Sequence, residues 1–483
     1  MLFNTKVFVV FLLVVLGVYY RLGREAKLWF LLVMSYIFYG FWSPWLCCLI
    51  LMSTVVDYLC ALKIDASTTQ RERKRWLFVS LGVNLGALAF FKYTNFFMAS
   101  LAGSLMWAGL DIDLARWHLN ILLPVGISFY TFQTLSYTIE VYRGNFKSDA
   151  NLRDFALCVA FFPQLVAGPV ERATHLLPQY KRPFTLTRAA VYEGVFLILL
   201  GFTKKVVIGD RLGRWVEPHF AAPVEWGPTA VMSLLLFTTQ IYVDFSAYSD
   251  IAIGLGRLLG YNIRENFNLP FVVPSIPERW RRWHISMSHW FRDYIYFPLG
   301  GSRKGRARTL LNIMAVMFLS GLWHGASNNF VVWGILNGLA MVGHRLLLPI
   351  LRPISRFFGR HPVLKWAYFY VCCWNTMLMI SFINIFFRSD TWEVAKSYVF
   401  QIFGRSAWQF VRWGKMGFPM SEEFDKGLLL MLVVFLAHES QRWFQVKERI
   451  LARPKVWAGV CGSLFVYILL YGIKGPEFIY YQF

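Results

Sequence analysis

Three histidines, His284, His289 and His324, stand in the one stretch of this chain where ionisable and aromatic side chains are dense. It opens Trp280-Arg281-Arg282-Trp283-His284 and continues Ile285-Ser286-Met287-Ser288-His289-Trp290-Phe291-Arg292-Asp293-Tyr294. A Gly300-Gly301 pair and the basic residues Arg303, Lys304, Arg306 and Arg308 follow, then an apolar run over 309–322 that ends on Trp323-His324-Gly325. A neutral imidazole, with an ordinary pKa of about 6.5, is a natural general base for a hydroxyl proton at neutral pH. Activating a hydroxyl for attack on a thioester asks for that base and little else, because a thiol leaves readily. No Gly-x-Ser-x-Gly elbow and no Walker loop is present, which disfavours a covalent serine enzyme and an ATP-driven pump.

His324 lies sixteen residues beyond Arg308, the last charge of the basic patch. At helical rise that is about 24 Å, well into a hydrocarbon core about 30 Å thick. The polar break Gly325-Ala326-Ser327-Asn328-Asn329 beside it is suited to a water-filled chamber. The plain alternative is a packed histidine satisfied by a backbone carbonyl, but ionisable groups inside membranes are rare and usually functional. His284 and His289 are five residues apart, about 140° around a helix, so they do not share a face. A zinc site of the His-Glu-x-x-His type needs a four-residue spacing, so no metal is expected. His289 reads as structural and His284 as the functional member of the pair.

The other charged candidates have bland readings that outweigh the functional ones. Arg303, Lys304, Arg306 and Arg308 either mark topology or hold the phosphates of a coenzyme donor. Asp244, Asp250 and Glu140 could bind cations or protons, although capping and loop salt bridges are the commoner fate. Trp280, Arg281 and Asp293 are candidates for shaping a path to the histidines.

These residues need a frame, and composition indicates which. Of 483 residues, 57% are hydrophobic, 18% aromatic and only 16% charged, so the apolar runs are too frequent and too long for soluble cores. The net charge of +22 comes from short loops between apolar runs, which fits the positive-inside bias and argues against nucleic acid as a partner. The seven cysteines show no CxxC or Cys/His spacing and read as small buried hydrophobes. We expect one all-α polytopic membrane domain over 1–483, with a catalytic core at about 119–345 and about eleven crossings of roughly 20 residues. Expected spans include 28–41, 46–62, 76–97, 119–142, 191–208, 231–243, 330–342, 366–387 and 457–471. The run 155–170 is short, broken by Pro163, Gly168 and Pro169, and flanked by basic loops on both sides, so it reads as re-entrant with its irregular backbone buried. Loop charges put both termini outside, with an external acidic loop (Asp111, Asp113) and an aromatic tail ending at Phe483.

In order along the chain, several motifs resemble the membrane-bound O-acyltransferase family. They are Leu123-Pro124-Val125-Gly126-Ile127-Ser128-Phe129-Tyr130, Phe161-Phe162-Pro163-Gln164-Leu165-Val166-Ala167-Gly168-Pro169, Asp244-Phe245-Ser246-Ala247-Tyr248-Ser249-Asp250, the 280–301 block and Gly321-Leu322-Trp323-His324-Gly325. The likeness is greatest to the branch that O-acetylates bacterial exopolysaccharides such as alginate. The resemblance implies a helical bundle around a central tunnel in the bacterial inner membrane, with His324 as the essential embedded histidine and His284 as the second functional one. It also implies acetyl-CoA or another cytosolic acyl thioester as donor, no permanently bound cofactor, and a periplasmic acetyltransferase partner that completes transfer to the polysaccharide. Two rivals remain at this point. A transporter or channel for an acyl donor or polymer shares the architecture but lacks visible repeats or an energy-coupling motif; a scaffold that only recruits a transferase would not need the histidines.

Overall fold

The computed structural model describes residues 1–110, 119, 121–148, 151–183, 185–221, 227–404, 422–475 and 478. Asp111, Asp113, Arg116, residues 405–421 and the tail residues 479–483 lie outside them. No strand occurs among the described residues. Among the described residues, six helices are long and apolar enough to cross a membrane: Pro44–Ala66, Gln70–Trp107, Gly227–Leu258, Asn328–Phe358, Pro362–Arg388 and Pro454–Tyr471, with Lys6–Tyr19 a shorter apolar one. Helix starts follow side-chain chemistry. Thr69 accepts from the Glu72 amide, Ser275 from Glu278, Ser327 from Phe330 and Thr391 from Val394, each satisfying an amide left open in a first turn.

The chain divides into two compact units, Met1–Gly194 with Ala252–Arg264, and Val195–Ile251 with Glu265–Phe483. In the first, a buried polar seam joins two helices, Leu46–Ala66 and Gln70–Leu88. The Asp57 carboxylate in Leu46–Ala66 accepts from Ser80 Oγ (2.5 Å) and Asn84 Nδ2 (2.9 Å), and Asn84 Oδ1 accepts from Ser53 Oγ (2.5 Å). Inter-helix hydrogen bonds of this kind replace the hydrophobic drive that lipid cannot supply. The helix expected from 119 begins only at Ile127. Pro124 lacks the amide a helix needs, and Gly126 sits at φ +79°, where an added Cβ would come 3.0 Å from the Leu165 carbonyl. The run 155–170 is helical only to Ala160, and residues 161–171 that follow are irregular and buried in protein, as expected of a broken segment.

The second unit holds the central stretch. Its largest departure from expectation is the Gly227–Leu258 helix, which runs on through Asp244 and Asp250 instead of ending at Val243. The charges are tolerated because a π-helical turn, Thr203–Gly209, brings two lysines to them. Lys205 Nζ lies 2.8 Å from both Asp244 and Asp210, and Lys204 Nζ lies 2.6 Å from Asp250. Salt bridges were the expected fate of these aspartates; a site inside a helix was not. The cysteines are all free, with Cys60, Cys158, Cys373 and Cys461 buried but Cys48 on the outer face, unlike the expectation for the set.

Arg306–His324 and Asn328–Phe358 form the pair that carries the site, joined by three residues. They touch backbone to backbone: a Cβ on Gly321 would lie 2.3 Å from the Phe330 carbonyl and 3.0 Å from Gly334 Cα. Small residues at such crossings let membrane helices approach closely. Gly321→Ala is therefore expected to cost about 1–3 kcal/mol through overpacking, read as a lowered thermal-unfolding midpoint in detergent. An unchanged midpoint would show that the helices are not in contact there.

Candidate active site

His324 is the last residue of its helix and is 4% exposed. The chain turns at once, since Gly325 is extended and Ser327 already caps the following helix. Only glycine fits after His324, because a Cβ at 325 would fall 2.0 Å from the Phe330 ring. The imidazole is edge-on to Trp333 (5.0 Å between centroids) and Phe387 (5.2 Å), with Trp323 at 5.0 Å. It borders a small, partly open cavity of about 20 Å³ whose walls include Arg279, Trp280, Trp283, Trp333, Asn337, Ile380 and Phe387. That is room for one water or a methyl-sized group.

The cavity is mostly aromatic but has placed polar atoms. Trp333 Nε1 donates to Asn384 Oδ1 (3.2 Å), and Asn384 Nδ2 donates to Thr238 Oγ1 (3.2 Å). Trp280 Nε1 and Asn337 Oδ1 are buried with no hydrogen-bond partner among the described residues. Arg279, buried, donates to the Pro270 carbonyl (2.9 Å) and lies 4.1 Å from the Trp283 ring centroid. Burial pushes its guanidinium down to about 9, so it stays cationic at neutral pH. A fixed positive charge in a buried aromatic wall is suited to stabilising negative charge that develops during a reaction.

His284 reaches the same region by a different route. It separates two seven-residue helices, Ile276–Arg282 and Ile285–Phe291, neither long enough to cross a membrane. Its backbone is left-handed (φ 43°, ψ 53°), a conformation that costs a non-glycine residue about 1–3 kcal/mol and persists only when its surroundings impose it. Asn266 imposes it. The Ile285 amide donates to the Asn266 carbonyl (2.9 Å), and Asn266 Oδ1 accepts from Ser286 Oγ (2.8 Å) and faces His284 Nδ1 (3.0 Å). Because the Ser286 amide, which can only donate, also points at this Asn266 atom (3.4 Å), the atom turned to the imidazole is the oxygen, and Nδ2 is left to donate to Ser249 Oγ (3.2 Å). Nδ1 therefore carries the proton and Nε2 the lone pair. The ring is fully buried, and burial holds its pKa well below the usual imidazole range, which keeps it neutral. Phe245 lies edge-on to it at 4.7 Å, and Trp323 at 5.9 Å. Both candidate histidines thus pack on the Trp323 ring.

The remaining sequence candidates fall elsewhere. Of the three tunnel-shaping residues, Trp280 lines the cavity. Arg281 is exposed and pairs with Glu278 (3.2 Å), whose carboxyl is held below its usual range: burial opposes this, but the Arg282 and Arg281 guanidiniums outweigh it. Asp293 pairs with Arg292 (2.7 Å), and neither Arg281 nor Asp293 lines the cavity. His289 is half-buried on the Ile285–Phe291 helix. Arg303, Lys304, Arg306 and Arg308 are all exposed. Glu140 is tied to Arg143 (3.1 Å) and Asn145 (2.8 Å). Sequence reasoning passed over Asn266, Arg279 and a third buried histidine, His438, whose Nε2 lies 2.8 Å from the Tyr242 hydroxyl. His438 stands one residue beyond the apolar run 428–437, the position where the hydropathy signal stops.

Residues 146–387, which include both histidines, match the family described as MBOAT, membrane-bound O-acyltransferase. The chain is 40% identical over 412 residues to a probable alginate O-acetylase, AlgI, of Pseudomonas putida, covering 85% of this chain and 81% of that protein. It is 39% identical over 412 residues to the corresponding protein of Pseudomonas aeruginosa, covering 85% and 76%. A peptidoglycan O-acetyltransferase of Helicobacter pylori is 32% identical over 432 residues, covering 82% and 78%.

Asn266→Ala leaves His284 Nδ1–H and the Ser286 hydroxyl without their acceptor, a loss expected to cost about 1–3 kcal/mol. Nitrogen-15 spectra of histidine-labelled protein should show one neutral Nδ1–H imidazole that is lost in His284→Ala and changes tautomer population in Asn266→Ala. An Nε2–H form of the signal that His284→Ala removes would contradict the assigned orientation.

Proposed function

Because the chain belongs to the membrane-bound O-acyltransferase family and is an O-acyltransferase, we propose that it takes an acetyl group from cytosolic acetyl-CoA and passes it across the bacterial inner membrane for O-acetylation of a surface polysaccharide. The acceptor is an exopolysaccharide such as alginate or another cell-surface glycan, reached through a periplasmic partner. Two of the similar proteins are named for alginate O-acetylation and one for peptidoglycan O-acetylation, which supports a glycan hydroxyl as the final acceptor. The observation that carries the reading is that buried His324, which lines the small aromatic cavity, and buried His284 both pack on the Trp323 ring.

In the proposed step His324 removes the proton from the attacking hydroxyl. The oxygen adds to the thioester carbonyl, the C–S bond breaks, and the proton passes to the departing thiolate. His284, neutral with its lone pair on Nε2, assists by accepting a hydrogen bond there as the proton moves. Arg279 faces the negative charge that builds on the carbonyl oxygen, in surroundings buried enough for a fixed charge to matter. A chamber this small favours a two-carbon acyl group. The exposed cluster Arg303, Lys304 and Arg306 is a candidate holder of the coenzyme phosphates. The wider arrangement proposed with it is a single catalytic domain with its core at about 119–345, about eleven crossings around a tunnel, and both termini in the periplasm.

Purified protein in lipid nanodiscs, given radiolabelled acetyl-CoA, should release thiol and labelled product. His324→Ala should lower that turnover by about 10²–10⁴-fold with the protein still folded, the range expected for loss of a general base. Full activity of His324→Ala would overturn the assignment. Passage of label with no thioester cleavage in either protein would favour transport instead.

A further inference from the structure

The buried ions at the π-helical turn have no part in the proposed chemistry, yet they sit where the C-terminal segment returns to the bundle. Lys205 bridges Asp210 and Asp244 at 2.8 Å each. Beyond the last helix, Pro454–Tyr471, the chain is laid along this turn by backbone contacts. The Ile473 amide donates to the Val206 carbonyl (3.0 Å), and Arg211 and Arg214 donate to the carbonyls of Tyr471 and Lys474 (2.9 Å each). At Gly475 the backbone lies so close that an added Cβ would fall 2.4 Å from Asp210 Cβ. A π-helical turn is an irregularity often found at functional positions, and here it supplies the carbonyl that receives the segment.

This anchoring has a consequence three residues later. Phe478 is 5% exposed although it lies seven residues past the last helix. Its ring packs on Phe245 (6.0 Å) and Tyr248 (5.3 Å), and Phe245 is the ring set edge-on to His284 at 4.7 Å. Asp244, one end of the ion bridge, is the neighbour of Phe245 on the same helix. We infer that the backbone of residues 472–475, latched at the Lys205–Asp210–Asp244 bridge, and the Phe478 ring act together as a strap that makes Phe478 a positioning residue for His284. The inference rests on the acyl-transfer reading of the site. Aromatic side chains pack in interiors with little free space, so removing one ring lets its neighbour move into the gap. Phe245 would then release one face of the imidazole, and His284 would lose the orientation on which proton transfer depends.

The strap is tested in nanodiscs with radiolabelled acetyl-CoA, reading turnover and KM separately. Phe478→Ala should lower kcat by about tenfold with KM for the thioester little changed, since small misplacements of a catalytic group reduce the chemical step. Phe478→Leu, which refills most of the volume, should recover most of the turnover. Arg214→Ala, an exposed substitution that removes one strap contact without touching the core, should show the same kcat-selective loss to a smaller degree. Full-chain His284→Ala is run beside them, with unfolding midpoints for all. Wild-type kcat in Phe478→Ala, or equal loss in Phe478→Ala and Phe478→Leu, would overturn the strap while a dead His284→Ala leaves the reading of the site intact. Full turnover by His284→Ala would overturn that reading, and the strap with it.

Discussion

The backbone contact between Gly321 and Gly334 is the interaction on which the candidate site depends. In a bilayer, lipid tails cover apolar side chains as well as protein does, so two helices gain little from burying grease alone. They gain from close contact, and close contact requires residues without side chains. Bringing Arg306–His324 and Asn328–Phe358 together at this crossing forces a short turn, and the turn puts His324 against Trp333 from the next helix and Phe387 from the one after. The histidine is thus placed by the geometry of a hairpin whose three-residue link leaves it little freedom.

His284 is held by the opposite means. Its helices are short and supply no long-range rigidity, so its position rests on one carboxamide. Asn266 gives its backbone carbonyl to Ile285, its side-chain oxygen to Ser286 and the imidazole, and its amide to Ser249. A left-handed histidine with all of these bonds in place is a local strain offset by several buried polar contacts, each worth more in a low-dielectric interior than in water. The same network determines which ring nitrogen bears the proton, so one residue sets both geometry and chemistry.

Much of this was legible from residue types. The cost of an ionisable group in an apolar run singled out His324, and the density of aromatic and basic residues singled out His284. The helix ending at His324 and its polar break were found where hydropathy put them. Other features carry no local signal. Asn266 precedes His284 by eighteen residues in an irregular segment, and nothing in its neighbours marks it as an anchor. Arg279 is one basic residue among several in its stretch, and its burial and its bond to the Pro270 carbonyl depend on how the irregular segment before its helix folds back. The Gly227–Leu258 helix was cut short at Asp244 for the same reason. A charge in sequence signals an end, and only the partner lysines thirty-nine and forty-six residues away show that the helix can continue.

Those lysines also explain why the second unit keeps charges that a purely apolar core would not need. A buried ion pair seldom adds net stability over packed hydrophobes, because both ions must leave water. Its better-attested value is specificity, since a buried charge tolerates very few alternative neighbours. Lys205 facing two carboxylates permits one register of the Thr203–Gly209 turn against the Gly227–Leu258 helix, and a slip of one residue would strand a charge. That register fixes Phe245, one residue from Asp244, opposite the His284 ring. The electrostatic cost borne in this layer is therefore balanced by the accuracy it imposes on the next: buried charges away from the candidate site determine where the aromatic ring beside His284 stands.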